Sequence, residues 1–504
     1  LMGGDLEGRV FLNPAVFDGF RLRSVESVLV HNDGSIDLGP PAAFNSNLGL
    51  KTKKIDAQGL TLVPSFHDTH IHLLSYAANI LSYDIRSETV LSKERLAAVI
   101  KRAAYIQRDS NMVRLQGLEH NFQEGMSFVD RTLLDEVLPD RPLVIQTTSG
   151  HAHILNSVAM DLAGVGEATD EPPGVTFERT LADGKLSGVM YESGDYLEGK
   201  LPSLEASSMK EGIIFALTSI HSRGVNYLTD ATHLNDISRY ELISSVIDGF
   251  PLHIHLIFMP AVTALRDFVE AGRTYRSTEG KIIMGHSKIM MTNSSGVLHP
   301  DRKEFQEMVR ESHCQGFPVA IHAVDMGSID MILDVLQDDY LLGDRIEHAS
   351  ELRDDQIVKM GHLGLSVCTQ PSFIYERGDA YLSNQSEVNI NSLYRIKSLM
   401  EAGVSVSASS DSPVTYPDPM KTIYSAMTRK TKSGNILNPK EGISALDSLK
   451  MLTTDSVTIS GLPTREFQEP KIFKKEFLVL DINLASGETN NILKNKIVRI
   501  KDFQ

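Results

Sequence analysis

The segment LTLVPSFHDTHIH, residues 60–72, begins as an apolar run and ends in a polar cluster of His67, Asp68, His70 and His72. Side chains of an extended chain alternate between two faces, so His70 and His72 point the same way. Two imidazoles at that spacing can grip one ion. The same alternation puts Asp68 on their face and His67 on the opposite one.

Working outward, the pattern of a strand ending in polar side chains recurs. From about residue 210, apolar strands alternate with amphipathic helices. The strand candidates are GVNYLTDATH, PLHIHLIFMP, KIIMGHSKIMM, FPVAIHAV, DRIEHAS, LGLSVCTQP and GVSVSASSDSP, with helical stretches such as RKEFQEMVRESHCQG and SLYRIKSLMEAG between them. Residues 60–72 supply the first strand and bring the total to eight. Alternating strands and helices imply a parallel sheet, and eight repeats predict an α/β protein built on a closed (β/α)8 barrel of the TIM type. Residues 83–200 interrupt the alternation and read as an inserted α/β subdomain. Both ends of the chain are rich in short strands. SVESVLVHNDGSIDLG reads as a hairpin turning at Asn32-Asp33-Gly34, and FKKEFLVLDINL and NKIVRIKDF lie near the C-terminus. The expected organisation is a small β-sandwich domain from residues 1–60 and 455–504, a barrel from 61–82 and 201–454, and the 83–200 insert folded over the barrel mouth.

Composition narrows the class. In 504 residues, 41% are hydrophobic and 23% charged, as in ordinary globular chains. A formal charge of −16 with no basic stripe argues against nucleic acid or an anionic membrane as partner. No apolar run reaches the ~18 residues that span a bilayer, and LMGGDLEGRV lacks a basic region followed by an apolar one. Cys314 and Cys368 cannot form a disulfide framework and sit in segments that read as buried. A reducing, cytoplasmic setting is expected, with a small-molecule substrate and a homodimer as the expected partners.

Barrel enzymes work at the C-terminal ends of their strands. Here those ends carry His70, His72, Asp230, His233, Lys288, His322, His348 and Asp411. A single histidine at a strand end is more often a hydrogen-bonded rim residue, Asp411 in SSDSP could be a turn residue, and a lysine can snorkel outward. Such readings would all have to hold at once around a single barrel mouth. Imidazoles with a carboxylate point instead to zinc or a similar divalent metal. No Gly-x-Ser-x-Gly elbow, phosphate loop or dinucleotide fingerprint competes.

These segments resemble the amidohydrolase superfamily, and within it amidohydrolase family 3, the N-substituted formamide deformylase-like branch. LVPSFHDTHIHL is similar to the family's first-strand segment, TTSGHAHILNSVAM and GKLSGVMYES to its inserted segments, RIEHASEL to strand six, and SSDSPVTYPDPMKTIYSAMTRK to strand eight and the helix after it. The resemblance implies one or two zinc ions held by His70, His72, His322, His348 and Asp411, with Lys288 as a carbamate bridge. His286, two residues before Lys288, is the alternative ligand. The chain departs from the pattern at Thr292-Asn293, where the family has Asp-Gly, and at Asp325, shifted by one position.

The implied reaction is hydrolysis of a C–N bond in an N-acyl, N-formyl or cyclic amide by a metal-activated hydroxide, with Asp411 as proton shuttle. A catalytically silent binding protein, or a metal-dependent esterase or phosphoesterase, are the alternatives. Substrate contacts are expected from His151, Tyr191, Thr292 and Asn293. Asn156 reads rather as a helix cap. Met290, Phe373, Tyr375 and Tyr416 suggest a mainly apolar pocket, with Arg377 the nearest cation for a substrate carboxylate.

Overall fold

The computed structural model describes residues 9–31, 36–44, 53–86, 92–118, 129–148, 150, 152–172, 174–294, 296–383, 389–462, 476–487, 489 and 491–500. Two compact units result: Leu1–His72 with Leu217–Gln504, and Leu73–Ala216. The excursion from the parallel strands is thus longer at both ends than the expected 83–200.

In the first unit, residues 60–72 do not form one strand. Pro64 ends Thr61–Pro64, which pairs antiparallel with Phe477–Leu480. Ser65 N then donates to Glu476 O at 3.0 Å, while Phe66 N turns to Gly224 O at 2.9 Å. The chain passes between two sheets at that point. Gly224 has φ +79° there, and a Cβ would stand 2.6 Å from Leu478 Cδ1, so only glycine fits.

Thr61–Pro64 belongs to a five-stranded sheet that joins both chain ends, in the order Ile497–Arg499, Phe477–Leu480, Thr61–Pro64, Ala15–Phe17, Leu22–Ser24. A four-stranded sheet runs Ile36–Gly39, Ser27–Val30, Arg9–Leu12, Lys53–Asp56. Phe11, Val16, Val28, Ile55, Leu62, Phe477 and Val479 from the two sheets share one core. The expected hairpin is present, with Val30 opposite Ile36, and its turn residues lie outside the described residues. The expected boundary at 455 shifts: helix Thr454–Ile459 packs on Ser405–Ala408 and Phe66–Ile71, with the parallel strands.

Those parallel strands form two sheets. One holds Phe66–Ile71, Val225–Asp230, His255–Phe258 and Ile282–Met284. The other holds Ser287–Met290, Val319–Ala323, Arg345–His348, Ser366–Thr369 and Ser405–Ala408. The fourth expected strand, 281–291, is therefore divided at Gly285-His286. Gly285 N bonds Phe258 O at 2.8 Å, whereas Ser287 N bonds Pro318 O at 2.9 Å, so the segment changes partners. Parallel bridges Ala261–Lys288 and Ile71–Ser412 link the two sheets.

The second unit is a mixed six-stranded sheet, ordered Thr176–Arg179, Leu186–Tyr191, Ala152–Leu155, Leu143–Thr147, Val113–Leu118, Tyr83–Asp84. Helices Lys93–Ile106 and Arg131–Val137 bury Leu96, Ile100 and Leu134 against it. Asn156 is fully buried and caps Ser157–Leu162. Its Oδ1 accepts from Ala159 N and Leu143 N, and its Nδ2 donates to Leu138 O and Arg141 O. Every polar atom of that side chain is used within the unit, as a cap demands. Cys368 is buried, but Cys314 is exposed, contrary to expectation, because it ends helix Arg302–Cys314 on the outward side. No helix among the described residues is long and apolar enough to cross a membrane.

Candidate metal centre

The strand Phe66–Ile71 is buried along its length and delivers His70 to one point in the fold. Asp411 arrives there after Ser405–Ala408, because Asp411 N donates to His70 O at 2.9 Å and His72 N to Ser412 O at 2.8 Å. Backbone pairing alone thus brings residues 341 positions apart side by side. His72 Nε2 lies 3.0 Å and His70 Nε2 3.5 Å from Asp411 Oδ1, and the three ligand atoms fall within 4.8 Å of one another.

His348 and His322 join the group. The rings of His322 and His348 are 4.4 Å apart, and those of His70 and His348 are 4.8 Å apart. Lys288 reaches the same neighbourhood by charge: its ammonium depresses His70, His322 and His348 alike. Burial, before any neighbouring charge, pushes His70 down to about 3 and holds His322, His348 and Lys288 below their usual ranges. Burial acts to raise Asp411, but the contact with His72 and the nearby imidazoles hold it well below the usual carboxylate range. Neutral imidazole and ionised carboxylate are the metal-binding forms.

Hydrogen bonds around the cluster decide which way each ring faces. Glu347 Oε2 accepts from His70 Nδ1. Glu347 is ionised and can only accept, so His70 carries its proton on Nδ1 and turns the Nε2 lone pair toward Asp411. His348 Nδ1 meets Gln370 Oε1 at 2.8 Å, and His72 Nδ1 meets Thr232 Oγ1 at 3.1 Å. Buried and without a hydrogen-bond partner are His70 Nε2, His348 Nε2 and Lys288 Nζ. The His70 Nε2 lone pair and the Asp411 carboxylate, converging in a buried space with no proton between them, fit a cation. The residues present therefore fit a divalent metal.

The backbone is strained at the same place. His348, Ala349 and Asp411 have φ of 70°, 45° and 55°. Left-handed conformations in non-glycine residues cost roughly 1–3 kcal/mol each and gather at functional sites.

His67 faces away, its Nε2 3.0 Å from Thr229 Oγ1. Asp68 does not reach the cluster either. Its carboxylate accepts from Ser410 N at 3.0 Å and Ser410 Oγ at 2.5 Å, which pins the turn that presents Asp411. His286 is no substitute for Lys288: it bonds Gly343 O at 3.0 Å. Asp230 accepts from Thr232 N and Asn235 Nδ2, so it shapes the loop that carries Thr232.

Thr292 and Asn293 are exposed on a hairpin, Thr292–Ser294 against Val297–His299. Asn293 Nδ2 donates to Asp325 Oδ1 at 3.0 Å. Tyr191 lies in the second unit, where its hydroxyl meets Glu178 at 3.4 Å and burial raises it above the usual phenol range. His151 lies outside the described residues. Phe373 is buried with Leu393, Tyr394 and Leu437, and Arg377 stacks over it at 4.7 Å.

Sequence reading missed Arg345, Glu347 and Gln370. Arg345 and Glu347 are both fully buried, with Arg345 Nε 2.5 Å from Glu347 Oε1. The signal was present in RIEH: two charges at i and i+2 share the face of a buried strand, a placement that must serve a partner.

The amidohydrolase family model matches residues 53–468. The chain belongs to the amidohydrolase family. Among proteins similar to this amidohydrolase is the N-substituted formamide deformylase of Arthrobacter pascens, 25% identical, with 93% of this chain and 92% of the relative covered. An uncharacterized metal-dependent hydrolase of Pyrococcus horikoshii OT3 has a similar fold, with a TM-score of 0.70 at 20% identity, over 94% of this chain and 97% of that one. Atrazine chlorohydrolase TrzN of Arthrobacter aurescens TC1, solved with zinc, gives a TM-score of 0.50 at 11% identity, over 97% and 91%.

Proposed function

We propose that this amidohydrolase opens the C–N bond of an N-acyl, N-formyl or cyclic amide, and that the two parallel sheets form a closed (β/α)8 barrel carrying the site. The bridges Ala261–Lys288 and Ile71–Ser412 support closure, and the shared core of the two terminal sheets supports a separate β-sandwich. The observation that carries the reaction is the convergence of His70 Nε2, His72 Nε2 and Asp411 Oδ1 with no proton between His70 and Asp411.

His70, His72, His322, His348 and Asp411 would hold one or two zinc ions, with Lys288 as a carbamate. The buried, unpartnered Lys288 amine supports that reading, since carbon dioxide would turn it from a repelling cation into an anion. Bound there, the metal supplies Lewis acidity, polarising a carbonyl and acidifying water. The residues of the chain do the rest. Glu347 and Gln370 fix the His70 and His348 rings, and Ser410, tied to Asp68, fixes the turn at Asp411. Asp411, kept ionised, takes a proton from the attacking water and delivers it to the leaving nitrogen. Water's oxygen ends on the acyl carbon and its proton on the amine, so the hydrolysis balances.

The deformylase named above supports N-formyl compounds as the first substrates to try. The test is turnover of an N-formyl, N-acyl and cyclic amide panel by the parent and by Asp411→Asn. A loss of roughly 10²–10⁴-fold is expected for a general acid–base residue. Equal rates would remove Asp411 from the chemistry. Hydrolysis only of esters or phosphoesters would replace the bond proposed.

A further inference from the structure

Away from the cluster, at the opposite end of the parallel strands, two more histidines face each other. His255 begins the strand His255–Phe258, and His253 precedes it by two residues, so both side chains take one face. Their Nε2 atoms are 3.4 Å apart, with the rings nearly perpendicular at 74°. Two nitrogens each about 2.0–2.1 Å from one tetrahedral ion stand about 3.4 Å apart, so the pair already has the bite of a chelate.

Each ring is held by something else. His255 stacks on Tyr227, with centroids 5.1 Å apart and planes 13° from parallel. His253 turns Nδ1 toward Glu476 Oε1 at 3.6 Å, and Arg499 fixes that carboxylate with a 2.8 Å bond to Oε2. The 3.6 Å separation from Glu476 is too long for a hydrogen bond, but it keeps a negative charge beside the pair. The Lys281 ammonium nearby is itself held on the Phe250 and Leu252 carbonyls. Among the described residues no third histidine, cysteine or carboxylate atom stands with the pair. His253 is about half exposed, which leaves room for water to complete the coordination.

We propose that His253 and His255 form a second site, separate from the metal centre, for an imidazole-seeking divalent ion such as nickel, copper or zinc. Glu476 adds a negative charge beside it. The site explains a paired, oriented arrangement that the hydrolytic reaction does not use.

The test is calorimetric titration of nickel chloride into tag-free protein that retains its own metal. One additional equivalent is expected in the parent and none in His253→Asn, an exposed change that leaves turnover as in the parent. Glu476→Gln keeps the site but weakens it, since the negative charge beside the pair is lost. A parent that takes up no additional nickel, or a His253→Asn protein that takes up as much as the parent, overturns the proposal.

Discussion

Asn293 donates to Asp325 at 3.0 Å, a bond that joins two positions on separate elements. Asp325 also caps helix Met326–Asp338 through Gly327 N and Ser328 N. The hairpin after the fourth strand is thereby tied to the helix after the fifth. Asn293→Asp sets a second carboxylate against Asp325, and its melting temperature should fall below that of Asn293→Ala at neutral pH. The cost is on the order of 1 kcal/mol and shrinks as salt is added. Equal melting temperatures would mean that the contact does not hold in solution.

Glu347→Gln leaves Arg345 buried without its counter-charge, since Glu347 is that guanidinium's only carboxylate among the described residues. Breaking a buried pair costs roughly 3–5 kcal/mol, and losing a charged partner behind a ligand histidine costs about 10–100-fold in metal affinity. Arg345→Met with Glu347→Gln should recover much of the stability and none of the affinity. Chemical unfolding and metal content after dialysis against chelator measure the two effects. Metal retention equal to the parent's in both variants would deny Glu347 its role behind His70.

His313 lies between Asp339 and Asp344, 2.9 Å from one and 3.1 Å from the other. Burial acts to lower it, but the bonds and charges of both carboxylates win and raise its pKa above the ordinary 6.5. A raised histidine binds its proton more tightly in the folded state. Its contribution is complete below about pH 6.5 and is lost as pH rises through the folded pKa. His313→Gln should therefore lower the melting temperature by a few degrees at pH 6 and by less at pH 9. A difference independent of pH would mean that the imidazole is not charged there.

Much of this was legible from residue order. The i, i+2 spacing of His70 and His72 and the polar ends of the apolar strands located the cluster, because strand geometry has a period of two and leaves little freedom. Partner changes were not legible. Pro64-Ser65 and Gly285-His286 look like strand interior in sequence, and only the tertiary pairing of Thr61–Pro64 with Phe477–Leu480 shows where the chain changes sheets. The role of Glu347 was equally hidden, since its partner His70 lies 277 positions away. Asn156 was readable because a cap acts over three residues.

The most direct measurement of the central claim is the metal content of protein purified without chelator, taken with its hydrolytic activity before and after metal removal. His253→Asn is the background for this measurement, so that only the cluster at His70, His72 and Asp411 is counted. The expected result is one or two divalent ions per chain, loss of activity on stripping, return of activity with zinc, and no retained metal in His70→Ala with His72→Ala. A metal-free protein whose activity is indifferent to added zinc would contradict the account.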